Sequence, residues 1–365
     1  MNSLKITEQV SSIYSQWIEG ERRGVPFYFL LPFLYIFSIL YGAGVRLRLF
    51  FYRIGVFKTR RLNCKVISIG NITVGGSGKT PMTIHLAEWL RDRDKKVAIL
   101  SRGYKGRIKD IGVVSDGEKI LLGPEDAGDE PYLMAARLKN IPVIVGRDRY
   151  RTGIYAIEKF RPDVIILDDG FQHIGLVRDL DIVLIDGKKG FGNGYLFPMG
   201  ILREPLSSLK RASVFMVKGS ELGIRNYELR IMNLKEQNKP LIFLKYKPKA
   251  VINLADNSRL NVDILRGKKV AAVSGIADPK SFRDTIEGLG AYVIKEIIYP
   301  DHHSYVADDL NDIIAETEGA DMVVVTEKDW VKLKGCSIKG LPVYALVIDV
   351  ELKDTEAFER VLGLN

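Results

Sequence analysis

The segment Lys65-Val-Ile-Ser-Ile-Gly-Asn-Ile-Thr-Val-Gly-Gly-Ser-Gly-Lys-Thr-Pro81 decides the reading of this chain. Lys65 to Ile69 is a short apolar, β-branched run that reads as a buried strand. The glycine-rich loop after it opens a helix expected from Pro81 to about Arg93. Glycines let backbone N–H groups turn toward phosphate oxygens, and a helix N-terminus adds favourable positive potential. The cradle is Thr73, Val74, Gly75, Gly76, Ser77, Gly78, Lys79 and Thr80, with Lys79 suited to the β- and γ-phosphates and the Thr80 hydroxyl to Mg²⁺. Thr73 stands where the motif G-x-x-x-x-G-K-[ST] has its first glycine, and Gly75 and Gly76 can supply the turn instead. Pro81 has no N–H to leave unsatisfied near the helix start.

Working outward, Val97 to Leu100, Pro142 to Val145, Val164 to Leu167 and Ile182 to Ile185 are further short apolar strands. Helical segments such as Tyr132 to Lys139 and Tyr150 to Lys159 lie between them. Strands separated by helices imply a mainly parallel sheet covered on both faces, with ligands at the carboxyl ends of the strands. The extended stretch from Leu241 to Leu254, with Pro248 inside it, reads as a linker. A second series follows, with strands near Val270 to Val273, Tyr292 to Ile294, Met322 to Thr326 and Val343 to Ile348. The expected division is a membrane-associated helical segment over 1–55, a P-loop domain over 56–240, a β linker over 241–266 and a smaller αβ domain over 267–365.

Several clusters sit where such a fold places its chemistry. Asp168 and Asp169 end an apolar strand, the position of a metal-holding carboxylate or of a cap for the next turn. Asp129, in Gly-Asp-Glu-Pro, opens a helix and reads equally as a cap. Arg102, after the second strand, is either a phosphate contact or a solvated side chain. The turn-rich stretch from Phe191 to Pro205 is long and irregular enough to be functional. It carries Asn193, Arg203 as a candidate phosphate contact and Glu204 as a candidate metal carboxylate. His302 and His303 are two of only four histidines, and histidine is the usual proton handler near neutral pH.

With 46% hydrophobic and 27% charged residues, the 365-residue chain has an ordinary globular composition, which excludes disorder as the main state. Two cysteines without ligand spacing exclude a disulfide framework or zinc site and fit a reducing cytoplasm. The net charge of +9 favours anionic partners. No nucleic-acid motif accompanies it, and no obligate protein partner is expected. From Pro26 to Val45 the chain is uncharged, flanked by Arg22 and Arg23 on one side and Arg46, Arg48 and Arg53 on the other. About 20 such residues suffice to cross a bilayer. An in-plane anchor or a buried core helix would read similarly, because Pro32, Gly42 and Gly44 interrupt the run. The polar residues ahead of it argue against a cleavable signal.

In order, the chain carries TVGGSGKTP, SRGY, GDEP, DDGFQH, FGNG with LREP, DHH followed by Ser-Tyr, and TEKDWVKL. This series resembles the tetraacyldisaccharide 4'-kinases of lipid A synthesis. The resemblance covers roughly residues 60 to 335 and extends to the N-terminal apolar segment. It implies two αβα sandwich domains joined by a short β linker, the first built on a P-loop NTPase-like parallel sheet, with catalysis in the cleft between them. It also implies ATP and Mg²⁺ as cofactors and a membrane glycolipid as acceptor, at the cytoplasmic face of the inner membrane. Carried over by motif, Lys79 and Thr80 hold phosphate and Mg²⁺, and Asp168, Asp169 and Glu204 surround the metal. Asp129 acts as base with His302 or His303, and Arg102, Arg203, Gln172 and Asn193 contact phosphate or substrate. A soluble small-sugar kinase and a membrane-tethered P-loop switch are the competing readings.

Overall fold

The computed structural model describes residues 25–219, 238–301, 303–333 and 340–363. In chain order its first elements are α1 (Val25–Arg53), β1 (Lys65–Gly70), α2 (Lys79–Arg91), β2 (Val97–Ser101), β3 (Gly112–Ser115), α3 (Pro124–Ala127), α4 (Asp129–Arg137) and β4 (Val143–Val145). Then come α5 (Arg149–Phe160), β5 (Val164–Asp168), β6 (Leu180–Asp186), β7 (Val214–Lys218), β8 (Leu241–Asn253), β9 (Arg259–Leu260) and β10 (Lys269–Ser274). The last are α6 (Pro279–Gly288), β11 (Tyr292–Ile298), α7 (Ala307–Glu316), β12 (Met322–Thr326), α8 (Glu327–Leu333), β13 (Val343–Leu352) and α9 (Thr355–Leu362). The chain is a mixed α/β protein with mainly parallel strands. It condenses into two compact units: one comprises residues up to Lys79, Arg149–Lys245 and Leu352 onward, the other Thr80–Asp148 and Tyr246–Glu351.

In the first unit β1 lies between β5 and β6, and β7 and the start of β8 extend the sheet beyond β6, all in parallel. Strands covered on both faces read as unbroken apolar runs, and β5 and β7 do so. Ile72, Phe171, Val183, Phe191, Phe215 and Val217 form the core on one face. The parallel register sets the carboxyl ends of β1 and β5 side by side, with Ile69 opposite Asp168. The phosphate loop and the acidic pair therefore leave the sheet as neighbours.

In the second unit β10 is flanked in parallel by β11 and β12, and β13 lies beyond β12. Alternation splits its core: Ala271, Val273, Val323 and Val325 face one way, and Val270, Ala272, Met322 and Val324 the other. A further group pairs β2 with β4 in parallel and β4 with β3 antiparallel. The stretch with Pro248 is the thirteen-residue strand β8, whose exposed middle accommodates the proline while its far end pairs with β9.

Between β5 and β6 the chain is fixed by a buried ion pair, Arg178 with Asp181, at 2.8 Å. The same guanidinium donates to the carbonyl of His173, closing the turn after the acidic pair. Removing one partner of a buried pair leaves the other charge uncompensated. Asp181→Ala should therefore lower unfolding stability by about 3–5 kcal/mol, read from denaturant midpoints at pH 7.

Candidate active site

The phosphate loop is organised by Asn71, a fully buried side chain just after β1. Its Nδ2 donates to Ser77 Oγ at 2.9 Å and to Thr73 Oγ1 at 3.3 Å, and its Oδ1 accepts from Lys79 Nζ at 3.3 Å. Its carbonyl accepts from Gln172 Nε2 at 2.7 Å. One amide thus joins both ends of the loop to its lysine. Lys79 begins α2, and Thr80 is buried in that helix's first turn.

At the end of β5, Asp168 is buried and Asp169 takes a left-handed backbone with φ +51°, which aspartate tolerates better than most residues. The Asp169 carboxylate lies 3.6 Å from Lys79 Nζ and receives Arg203 Nη1 at 2.9 and 3.0 Å. Burial pushes this carboxyl up, but the Lys79 ammonium and the Arg203 guanidinium outweigh it and hold it below its ordinary value. Glu204 is buried, and its Oε2 accepts from Arg211 Nη2 at 2.6 Å. Its Oε1 is buried without a hydrogen-bond partner. An orphan carboxylate oxygen suits a hard cation, so the residues present fit Mg²⁺. Among the described residues no three His, Cys, Asp or Glu side chains form a complete cage.

The turn-rich stretch clamps the loop from outside. Thr73 bridges Leu202 antiparallel, Val74 N donates to the Ile201 carbonyl, and Arg203 N donates to the Ile72 carbonyl, both at 2.7 Å. Asn193 holds this stretch together, donating to the Met199 carbonyl and accepting from Tyr195 N. Helix α1 in turn docks on the clamp. Ser38 Oγ donates to the Leu196 carbonyl, Tyr41 Oη to the Arg203 carbonyl and Arg48 Nη2 to the Gln172 carbonyl, at 2.8 to 2.9 Å. Gly42 faces the clamp so closely that a Cβ would stand 2.7 Å from Leu196 Cδ1. The other sides of α1 expose Phe29, Phe33, Ile36, Phe37 and Leu40. The helix is long and apolar enough to cross a membrane.

In the second unit Asp129 opens α4 after Gly128, whose φ is +91° and whose Cβ would stand 2.5 Å from the Tyr104 carbonyl oxygen. Only glycine fits there. The Asp129 carboxylate pairs with Lys332 at 2.9 Å. His303 Nε2 contacts Asp309 Oδ2 at 2.8 Å, its ring stacks on Tyr299 at 4.6 Å, and it meets Tyr305 edge-on at 5.1 Å. Tyr305 Oη donates to the fully buried Asp329, which also accepts from Gly275 N and Thr326 Oγ1. Burial pushes the Tyr299 hydroxyl up to about 12. His302 lies outside the described residues. Arg102 is exposed and has no hydrogen bond or ion pair among the described residues.

The structure brings Lys79, Asp169, Arg203 and Gln172 together around the loop. Asn71 was missed in the sequence, although a polar residue placed between a buried strand and a phosphate loop is a usable signal. Tyr305, Asp309 and Lys332 gave no signal beyond their place inside motifs.

A phosphate loop at the carboxyl end of a buried parallel strand, with its lysine facing an arginine-held carboxylate, defines a P-loop phosphotransferase or nucleoside triphosphatase. The profile of one such family, the tetraacyldisaccharide-1-P 4'-kinases (LpxK), matches residues 30–364, and the chain belongs to that family. Curated tetraacyldisaccharide 4'-kinases of Desulfatibacillum aliphaticivorans and Syntrophus aciditrophicus are each 41% identical to it, the first over 90% of this chain and 91% of that protein, the second over 92% of each. The crystal structure of LpxK from Aquifex aeolicus in complex with ATP is 36% identical and superposes with a TM-score of 0.75 over 92% of this chain and 97% of that one. The family and the apolar helix together indicate association with a membrane.

A depressed carboxyl contributes stability that is complete above the unfolded value of about 4 and is lost as pH falls through the folded value. The melting-temperature gap between wild type and Asp169→Asn should stay constant from pH 7 to about 4 and shrink below that. A gap already closing above pH 5 would show that the two cations do not govern this carboxylate.

Proposed function

We propose that the protein transfers the γ-phosphoryl group of ATP to the 4'-hydroxyl of tetraacyldisaccharide 1-phosphate, giving the 1,4'-bisphosphorylated lipid A precursor. The observation that carries this reading is the family match over nearly the whole chain, with the phosphate loop, its lysine and the acidic pair intact in the structure. Backbone amides of Thr73 to Thr80 cradle the phosphates, and Lys79 turns from Asp169 toward the β- and γ-phosphate oxygens. Thr80, Asp168, Asp169 and Glu204 would hold Mg²⁺, which neutralises charge on the phosphates when bound. Arg203 orients Asp169, Gln172 steadies the loop through Asn71, and Asn193 maintains the clamp. Arg102, exposed and unpaired among the described residues, is a cation suited to a phosphate group.

The acceptor oxygen forms its bond to the γ-phosphorus as the bond to the bridging oxygen of ADP breaks. The hydroxyl proton passes to Asp129, working with His302 or His303. Asp309 orients the His303 ring at 2.8 Å. The basic residues Arg46, Arg48 and Arg53 at the end of α1 suit an anionic bilayer surface, and the supply of ATP places the reaction on the cytoplasmic face of the inner membrane.

The test is transfer from radiolabelled ATP with Mg²⁺ to tetraacyldisaccharide 1-phosphate in detergent micelles. Wild type should label the glycolipid at O4', with the rate falling by about 10²–10⁴-fold in Asp129→Asn and transfer lost in Lys79→Ala. Lys79-dependent ATP hydrolysis with no labelled glycolipid would overturn the acceptor assignment.

A further inference from the structure

Helices α4 and α8 meet along their length through Tyr132, Leu133, Trp330, Val331 and Leu333, all buried. Three ion pairs also join them: Arg137 with Glu327, Glu130 with Lys328, and Asp129 with Lys332. The first two are directed hydrogen bonds. Burial pushes the Lys328 ammonium down, but the carboxylates of Glu130, Asp301 and Asp129 together outweigh this and lift it above its ordinary value.

The third pair differs. Lys332 Nζ is shut off from water and lies 2.9 Å from Asp129 Oδ2, yet it makes no directed hydrogen bond. The two opposite charges meet within a buried contact. Taking an ammonium out of water costs several kcal/mol. Apolar contacts and two directed ion pairs already bind these helices, so packing does not account for that cost. A buried ammonium at this distance fixes where the carboxylate sits.

Helix α8 supports the histidine segment as well. Asp329, one turn before Lys332, holds the Tyr305 hydroxyl at 3.0 Å, and Tyr305 packs on His303. Positions three apart lie on one helix face. The same seven-residue helix therefore steadies Asp129 through Lys332 and the 303–305 segment through Asp329.

We infer that Lys332 is a positioning residue for the phosphoryl transfer, its ammonium holding the Asp129 carboxylate where it meets the acceptor hydroxyl. This rests on the role proposed above for Asp129. Lys332 touches neither substrate nor nucleotide in this assignment and acts only through that carboxylate.

A double-mutant cycle on the full-length enzyme tests it, with kcat and the KM values for ATP and glycolipid measured for Lys332→Met, Lys332→Arg, Asp129→Asn and the double variant Asp129→Asn with Lys332→Met. Melting curves with and without ATP check that each variant folds and binds nucleotide. Lys332→Met should lower kcat by about 10–100-fold, the scale of a misplaced reacting group, with KM for ATP within about twofold. Lys332→Arg should recover most of the loss. In the Asp129→Asn background Lys332→Met should cost less than about twofold, because groups acting as a unit are not additive. An unchanged kcat in Lys332→Met, or an equal loss in both backgrounds, overturns the inference while Asp129 keeps its role. Wild-type kcat in Asp129→Asn instead removes the reading of Asp129, and this inference with it.

Discussion

A lysine ammonium, an arginine guanidinium and a carboxylate meet at Asp169, and much of the first unit is arranged around that meeting. Lys79 belongs to the loop after β1, Asp169 to the turn after β5, and Arg203 to the clamp. Three separate stretches therefore have to arrive at one point. The parallel register of β1 with β5 delivers the first two, and backbone bonds between 72–74 and 201–203 deliver the third. Two positive charges on one carboxylate keep it ionised, and the same ionised oxygen gives the lysine an alternative to phosphate. The site is thus preorganised by charge and steadied by Asn71, whose amide ties the loop to its own lysine.

Much of this was legible in the sequence, because strands buried on both faces and a glycine-rich loop leave strong local signatures. Val164 to Leu167 and Met322 to Thr326 are continuous apolar runs, and they fold as β5 and β12. What was not legible depends on distant partners. β3 is an antiparallel edge strand of four residues whose partner comes about thirty positions later, and β7 follows an irregular stretch that masked its onset. His303 looked equivalent to its neighbour as a proton handler, and only the structure gives it Asp309 and two tyrosine rings. Asp129 read as a helix cap as readily as a base. Its partner, Lys332, lies some two hundred residues away in the sequence and is visible only once α8 packs on α4.

Helix α1 shows how hydropathy can hide an interface. The apolar run reads the same on every side, yet its side chains at 31, 34, 38, 42, 45, 49 and 52 turn inward, and most of the remainder outward. Spacings of three and four give one narrow stripe along the helix. Ser38 and Gly42, the small residues in that stripe, let the backbone approach the clamp, while the outer phenylalanines and leucines are left for an apolar surrounding.

That stripe has a consequence for the freedom of the whole first unit. A body tethered by a flexible leash could present any side to the bilayer. Because α1 is fastened by hydrogen bonds from Ser38, from Tyr41 and from Arg48 at its basic end, roll about the helix axis is removed. The phosphate loop, which the clamp borders, therefore keeps one fixed position relative to the exposed apolar face of α1.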